Sequence, residues 1–333
     1  MDQLYESEEQ RLEWLKNNMR ENEHNLVINA QGTERTVPNL SQFPDKKQRI
    51  LDHTKAEYVV QMVSEFKKDI EVGQREATWI PQLDIPDKPM TFLFLTDAHY
   101  LSTRSETSLL NSMLQMVKDT PNFTVITGGD DCDNFNVSMG KLTSGMMENP
   151  LEGGIQGEMW RSKMKVLDDM GKIGGMVFGN HTDWMWRTSG VSFYDTYLGK
   201  FQCPLFTSGG ELHIKLGTQQ YDVGLTHKYW GTSKLNPTNA CKRFLDFEHP
   251  NADIILLGHT HQSEVLTFEK GGREVVGAIG GTLKTYDEWA RKEGIGGRAG
   301  SPGICITLWP DHKEMVAYKH IDRAVSDHLL RLK

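Results

Sequence analysis

Seven side chains in this sequence have the types and the spacing to gather metal ions: Asp97, His99, Asp130, Asn180, His227, His259 and His261. They lie in short clusters: Asp97–Ala98–His99, Gly129–Asp130–Asp131–Cys132–Asp133, Gly179–Asn180–His181, Thr226–His227 and Gly258–His259–Thr260–His261. Imidazole nitrogens mixed with carboxylate and amide oxygens suit Mn²⁺, Fe or Zn²⁺, whereas calcium and magnesium prefer oxygen alone. No thiolate belongs to the set, which argues against a closed structural zinc site. Seven donors are too many for one catalytic ion that keeps a position open, and about right for two ions sharing one carboxylate. Paired ions about 3.5–4 Å apart clamp a phosphoryl group and supply hydroxide at neutral pH. Taken singly, each cluster is an ordinary polar turn. Their ordered combination is what carries the reading.

Each cluster closes an apolar run of strand length: "TFLFL", "FTVIT", "GGMVF", "YDVGL" and "ADIILL". Helical patterns separate several of them, in "SETSLLNSMLQMVKD", "GEMWRSKMKVLDDM" and "NACKRFLDFEH". Strands alternating with helices predict an α/β domain. In such folds ligands collect outside the carboxyl ends of the strands, where these clusters fall. Residues 1–88 read as an N-terminal helical extension, from "SEEQRLEWLKNNMREN" and "DKKQRILDHTKAEYVVQMVSEFKKDI" with the turn-rich "INAQGTERTVPNLSQFP" between them. It either packs on the main domain or binds a partner. A proline-bearing link, "WIPQLDIPDKP", leads into that domain, expected over 89–333 with insertions near 135–172 and 184–210.

Of the 333 residues, 38% are hydrophobic and 25% charged, the make-up of an ordinary globular protein. The net charge of -8, without a block of lysine and arginine, disfavours an extended DNA-tracking surface. It does not exclude a nucleic-acid substrate, because bound cations reverse the local field. The opening "MDQLYESEEQRLEWLKNN" has no apolar core of the kind a signal peptide needs. No apolar stretch is long enough to suggest a membrane span. Cys132, Cys203, Cys241 and Cys305 are scattered without paired spacing. A cytoplasmic protein with reduced thiols is expected.

"DAH", "GDDCD", "GNH", a later lone histidine and "GHTH" together resemble the five blocks of the calcineurin-like metallophosphoesterases, over roughly Thr91 to Thr282. The resemblance implies two packed mixed β-sheets flanked by helices, with a dinuclear site at one edge. It implies that Asp97, His99, Asp130 and His261 hold one metal, and that Asp130, Asn180, His227 and His259 hold the other, with Asp130 bridging. Mn²⁺ is the first candidate, with Fe or Zn²⁺ as alternatives. The implied reaction is phosphoester hydrolysis by a metal-bridging hydroxide. His181 would be the general acid, a task that imidazole suits near neutral pH, and Asp133 would orient from behind the ligands. The family places an acid directly after "GNH"; here Thr182 stands there and Asp183 follows.

Phosphoserine/threonine phosphatases of the superfamily carry "GDxxDRG" and an arginine after "GNHE". This chain has Asn134 at the first arginine's position and Arg187 at a different spacing from "GNH", which ranks protein phosphatase low. The two insertions carry Trp160, Trp184, Trp186, Tyr194 and Tyr197 with Arg161 and Arg187. These either pack the insertions or stack a base and hold a phosphate. The stretch "GAIGGTLKTYDEWARKEGIGGRAGSPG", with Lys284, Arg291 and Arg298, is either a site-side loop or a surface loop. The leading expectation is a phosphodiesterase or nuclease acting on a nucleotide or nucleic acid. The rivals are a phosphomonoesterase, protein phosphatases included, and a non-catalytic metal-binding scaffold; the sequence names no protein partner.

Overall fold

An apolar run such as "MTFLFL" suits a strand covered on both faces. The computed structural model describes residues 25–28, 34–37, 75–133, 153–182, 194–233, 235–285 and 300–333. Its strands are β1 (Asn25–Ile28), β2 (Glu34–Val37), β3 (Glu76–Trp79), β4 (Met90–Leu95), β5 (Phe123–Thr127), β6 (Ile173–Val177) and β7 (Leu205–Phe206). The later strands are β8 (Gly210–Leu216), β9 (Gln219–Thr226), β10 (Ile254–Leu257), β11 (Glu264–Lys270), β12 (Arg273–Ile279), β13 (Gly303–Leu308) and β14 (Met315–Tyr318). The α-helices are α1 (Thr107–Asp119), α2 (Gly153–Asp169), α3 (Asn239–Phe247) and α4 (Ile321–Leu332), with a π-helical turn at Tyr194–Leu198.

The chain divides into two compact units, Met1–Val72 and Gly73–Lys333. In the first, β1 and β2 pair antiparallel, with Asn25 opposite Val37 and Ile28 opposite Glu34. The segment expected to be only turn-rich, which begins at Ile28, thus holds β2, and β1 ends where that segment starts; "NLVI" and "ERTV" both carry β-branched residues. The two helices expected in this unit fall outside the described residues.

The second unit is built on two six-stranded sheets, ordered β11-β12-β10-β9-β8-β3 and β14-β13-β4-β5-β6-β7. Within them β4, β5, β6 and β7 run parallel, as do β9, β10 and β12. Alternation along each strand sorts its side chains between layers. Phe92 and Phe94 of β4 meet Leu212, Ile214, Val223 and Leu256 between the sheets. Leu93 and Leu95 face the other way, toward Leu110 and Leu114 of α1 and Trp160 of α2. On the far side, Ile255 and Leu257 of β10 pack under Ala240, Cys241 and Phe244 of α3. The two mixed sheets flanked by helices are the architecture the motifs implied.

Two boundaries differ from the sequence expectation. β3 pairs in parallel with β8 and buries Trp79 in the inter-sheet core, so the proline-bearing link is an internal connection. Residues 153–169 form a helix of the main fold, because Trp160, Met164 and Leu167 complete the core over the second sheet.

Candidate metal centre

Asp97 and His99 follow β4, Asp130 and Asp133 follow β5, and Asn180 and His181 follow β6, all parallel strands of one sheet. His227 follows β9, and His259 and His261 follow β10, parallel neighbours in the other. The two sheets meet at this edge through the motif residues themselves. His227 Nδ1 donates to Gly128 O at 2.7 Å, and His259 N donates to Asp97 Oδ2 at 2.8 Å. Asp97 is held further by Thr96 Oγ1 on its carboxylate and Thr282 Oγ1 on its carbonyl, each at 2.7 Å.

The backbone here is strained. Asp97, His99, Asp130, His259 and His261 have φ of 51°, 44°, 51°, 73° and 58°, in the left-handed region. Such conformations cost roughly 1–3 kcal/mol each in a non-glycine residue and gather at functional sites. Glycines make the rest of the room. Gly129 sits at φ 95°, and a Cβ on Gly179 would lie 1.9 Å from Asp130 Oδ1.

Three groups of donors result at this edge: Asp97, His99 and His261; Asp130, His227 and His259; and His99, Asp133 and His181. Within each, the ligand atoms lie within 4.8 Å of one another, the span over which one ion binds several donors. His261 Nε2 is 3.2 Å from both His99 Nε2 and Asp97 Oδ1. His227 Nε2 is 3.1 Å from both Asp130 Oδ2 and Asn180 Oδ1. Asp97 Oδ1 is fully buried and meets His261 Nε2 outside good hydrogen-bond geometry, which is a costly state for a carboxylate oxygen unless a cation meets it. The crowded nitrogens, the poorly satisfied oxygen and the mixed N/O chemistry all fit divalent metal ions.

Charge states agree with that fit. Burial pushes His99 and His259 down to about 4, so both imidazoles are neutral, as metal ligands must be. Burial alone would raise Asp97, but His227 and His261 pull it down to about 2. Asp130 is likewise held well below the carboxylate range, its burial outweighed by His181 and His227. Burial works against charge on His227 too, yet Asp130 beside it lifts it to about 9, so a metal would take the place of that proton.

Asp133 lies beneath these donors. It accepts from His99 Nδ1, and its burial is outweighed by His99 and Lys284, which keep its carboxyl far below the usual range. His181 N donates to Asp130 Oδ1 at 2.9 Å, and His181 Nδ1 to the Asp133 carbonyl. That bond places a proton on Nδ1, and Nε2 lies 3.8 Å from Asp130 Oδ2.

Sequence reasoning left Lys284 between a phosphate contact and a surface residue. It is buried, with Nζ 3.2 Å from Asp133 Oδ1. Nothing local announces such a pairing, because the partners are 151 residues apart. Trp160, considered as a base-stacking ring, is instead fully buried against Tyr100. Asn134, Asp183, Trp184, Trp186, Arg187, Arg291 and Arg298 lie outside the described residues. A separate group, Glu211, His213 and Asp222, has donors close enough for an ion. There both His213 nitrogens already meet carboxylates, Asp222 at 2.7 Å and Glu76 at 3.0 Å, which is a complete ion-pair arrangement.

Two mixed six-stranded sheets with the motif residues at their strand ends are the arrangement that the resemblance to calcineurin-like metallophosphoesterases implied. No family model and no curated protein matches the chain. Among solved structures it is similar to Vacuolar Protein Sorting 29 from Cryptosporidium parvum, at 14% identity over 70% of this chain and 99% of that one, TM-score 0.37. A predicted phosphoesterase from Streptococcus pneumoniae gives 14% identity over 69% and 98%, TM-score 0.31. Vps29 from Entamoeba histolytica, complexed with zinc, gives 14% over 69% and 97%, TM-score 0.32. Likeness this distant carries no argument about function, which rests on the chain's own residues. Among the described residues no helix is long and apolar enough to cross a membrane.

Proposed function

We propose that the chain is a metal-dependent phosphoesterase that cleaves phosphodiesters, with nucleotide-bearing molecules as its substrate class. The observation that carries this is the pair of donor groups, Asp97/His99/His261 beside Asp130/His227/His259, at the shared edge of the two sheets. Asp97, His99, Asp130 and His261 would hold one ion, and Asp130, Asn180, His227 and His259 the second. Mn²⁺ suits the donors, with Fe or Zn²⁺ as alternatives. Bound there, the ions supply Lewis acidity for the phosphoryl oxygens and hydroxide at neutral pH.

The chain's own residues do the rest. His181 Nδ1 is tied to the Asp133 carbonyl, so the protonated ring presents Nε2–H to the leaving oxygen and releases that proton as the ester bond breaks. Asp133 holds His99 from behind. Support for a nucleotide comes from Trp230, three residues after His227 and 54% exposed. The Arg243 guanidinium lies 4.2 Å from its ring centroid. Phe247 stacks on the same indole at 5.8 Å, and the exposed edge of this aromatic and guanidinium cluster suits a base and its phosphate.

The test is hydrolysis of bis-p-nitrophenyl phosphate against p-nitrophenyl phosphate with added Mn²⁺, alongside elemental analysis. Two ions per chain and faster diester cleavage are expected. A preference for the monoester replaces the reading with a phosphomonoesterase. Two bound ions with no hydrolysis of either ester, or of dinucleotides, replaces it with a metal-binding scaffold.

A further inference from the structure

We propose that Lys284 is a positioning residue of this centre: its buried ammonium steadies the Asp133 carboxylate, and so keeps His99 aimed as a metal ligand. The inference rests on the metal-centre reading above. Lys284 lies five residues beyond the end of β12, on a stretch that contributes no ligand to either ion. Its side chain is only 10% exposed, a costly place for a lysine unless a partner meets its charge. One partner is Asp133 Oδ1, at 3.2 Å, the same oxygen that accepts from His99 Nδ1.

The backbone delivers the ammonium with little freedom. Leu283 N donates to Asp97 O at 3.2 Å, and Glu106 N donates to Leu283 O at 3.0 Å. Thr285 N donates to Arg104 O at 2.8 Å, and Lys284 N to Thr282 Oγ1 at 3.0 Å. Lys284 is therefore anchored on both sides to the loop that carries Asp97 and His99, while Asp133 comes from the next strand's loop. The ammonium ties the two loops together.

The direction of the effect follows from the neighbours. Asp133 has two imidazoles within reach: His99 Nδ1 in hydrogen-bond contact, and His181 Nδ1 at 3.9 Å from the same oxygen. With Lys284 on that oxygen the carboxylate stays turned toward His99, whose proton is then held on Nδ1. The His99 Nε2 lone pair is left directed toward His261, 3.2 Å away. Without Lys284 that oxygen loses its ammonium contact, and the hold of Asp133 on the tautomer and ring angle of His99 loosens. Loss of such an outer partner typically weakens metal binding about 10–100-fold. It should touch only the ion held with Asp97 and His261, since the Asp130, His227 and His259 group includes neither His99 nor Asp133.

The experiment is calorimetric titration of the metal-free full chain with Co²⁺ and Mn²⁺, with the Co²⁺ visible spectrum recorded at each step. In Lys284→Met one of two binding steps should weaken about 10–100-fold with an altered Co²⁺ spectrum, while the other is unchanged. Lys284→Arg should recover most of the affinity. Lys284→Met combined with Asp133→Asn should bind no more weakly than Asp133→Asn alone, because the lysine acts through that carboxylate. Should Lys284→Met fail to fold, Lys284→Gln carries the same expectation. Two unaltered binding steps in a folded Lys284 variant overturn the proposal, and so does a loss that adds in full to that of Asp133→Asn. A parent chain that binds fewer than two ions overturns the metal-centre reading itself, a separate result.

Discussion

Gly179→Ala puts a methyl group where the structure has no space for one. Its Cβ would lie 1.9 Å from Asp130 Oδ1 and 2.3 Å from Asp130 N, whereas ordinary contact begins at 3.4 Å. Relief requires the carboxylate and the methyl group to part by about 1.5 Å, and the approach to the backbone nitrogen means that a rotamer change alone is not enough. Asp130 is poorly placed to yield. Its φ is 51°, and its Oδ1 accepts from His181 N at 2.9 Å. Overpacking of this kind costs roughly 1–3 kcal/mol of stability. A misplacement of about 1 Å in a catalytic constellation costs on the order of 100-fold in rate, or about 2.7 kcal/mol of transition-state stabilisation. The assay is kcat/KM on bis-p-nitrophenyl phosphate with Mn²⁺, read with metal content and urea unfolding. A folded variant with a rate at least ~100-fold lower and fewer than two ions is expected. A folded variant that keeps both ions and the parent's rate refutes the claim that Asp130 is the shared ligand.

His181→Ala should keep two ions yet lose about 10²–10⁴-fold in kcat, and an undiminished rate removes His181 as proton donor. Trp160→Ala should lower the free energy of unfolding in urea by about 3–5 kcal/mol, because a fully buried indole leaves a cavity between α2 and the sheet; a loss under about 1 kcal/mol contradicts its place in the core. His328 donates from Nε2 to Pro121 O at 2.8 Å and accepts at Nδ1 from Thr91 Oγ1 at 2.8 Å, a neutral-ring arrangement. Burial holds it below the ordinary imidazole value of 6.5. A group depressed in the folded state stabilises fully above its unfolded value and loses that contribution as pH falls through the folded one. The metal-free protein should therefore melt lower as pH drops below about 6.5, and His328→Gln should flatten that dependence; equal slopes in the two proteins disprove it.

Much of the site was legible because its information is local. "FTVIT" and "ADIILL" are strands by their own apolar continuity, and the polar residues that stop them sit where parallel strands end. Donor types, their order and their placement after strands needed only neighbouring residues. Other features depend on what a segment meets. Trp160 sits in a pattern that serves equally for a substrate loop or a core helix, and only the sheet beneath it decides. Glu76–Trp79 is too short to declare itself a strand until β8 supplies the hydrogen bonds. "IDRAVSDHLLRL" went unread, although as α4 it seats His328 against Thr91 of β4.

By itself the sequence determined which side chains could bind metal and that they would stand at strand ends, since hydrophobic period and turn chemistry act over a few residues. Tertiary structure alone decided that His227 and Asp130 would stand 3.1 Å apart and that Asp133 would accept from His99 and Lys284 together. Those contacts join residues up to 151 positions apart, and the ones from His227 and Lys284 form only when the two sheets pack face to face.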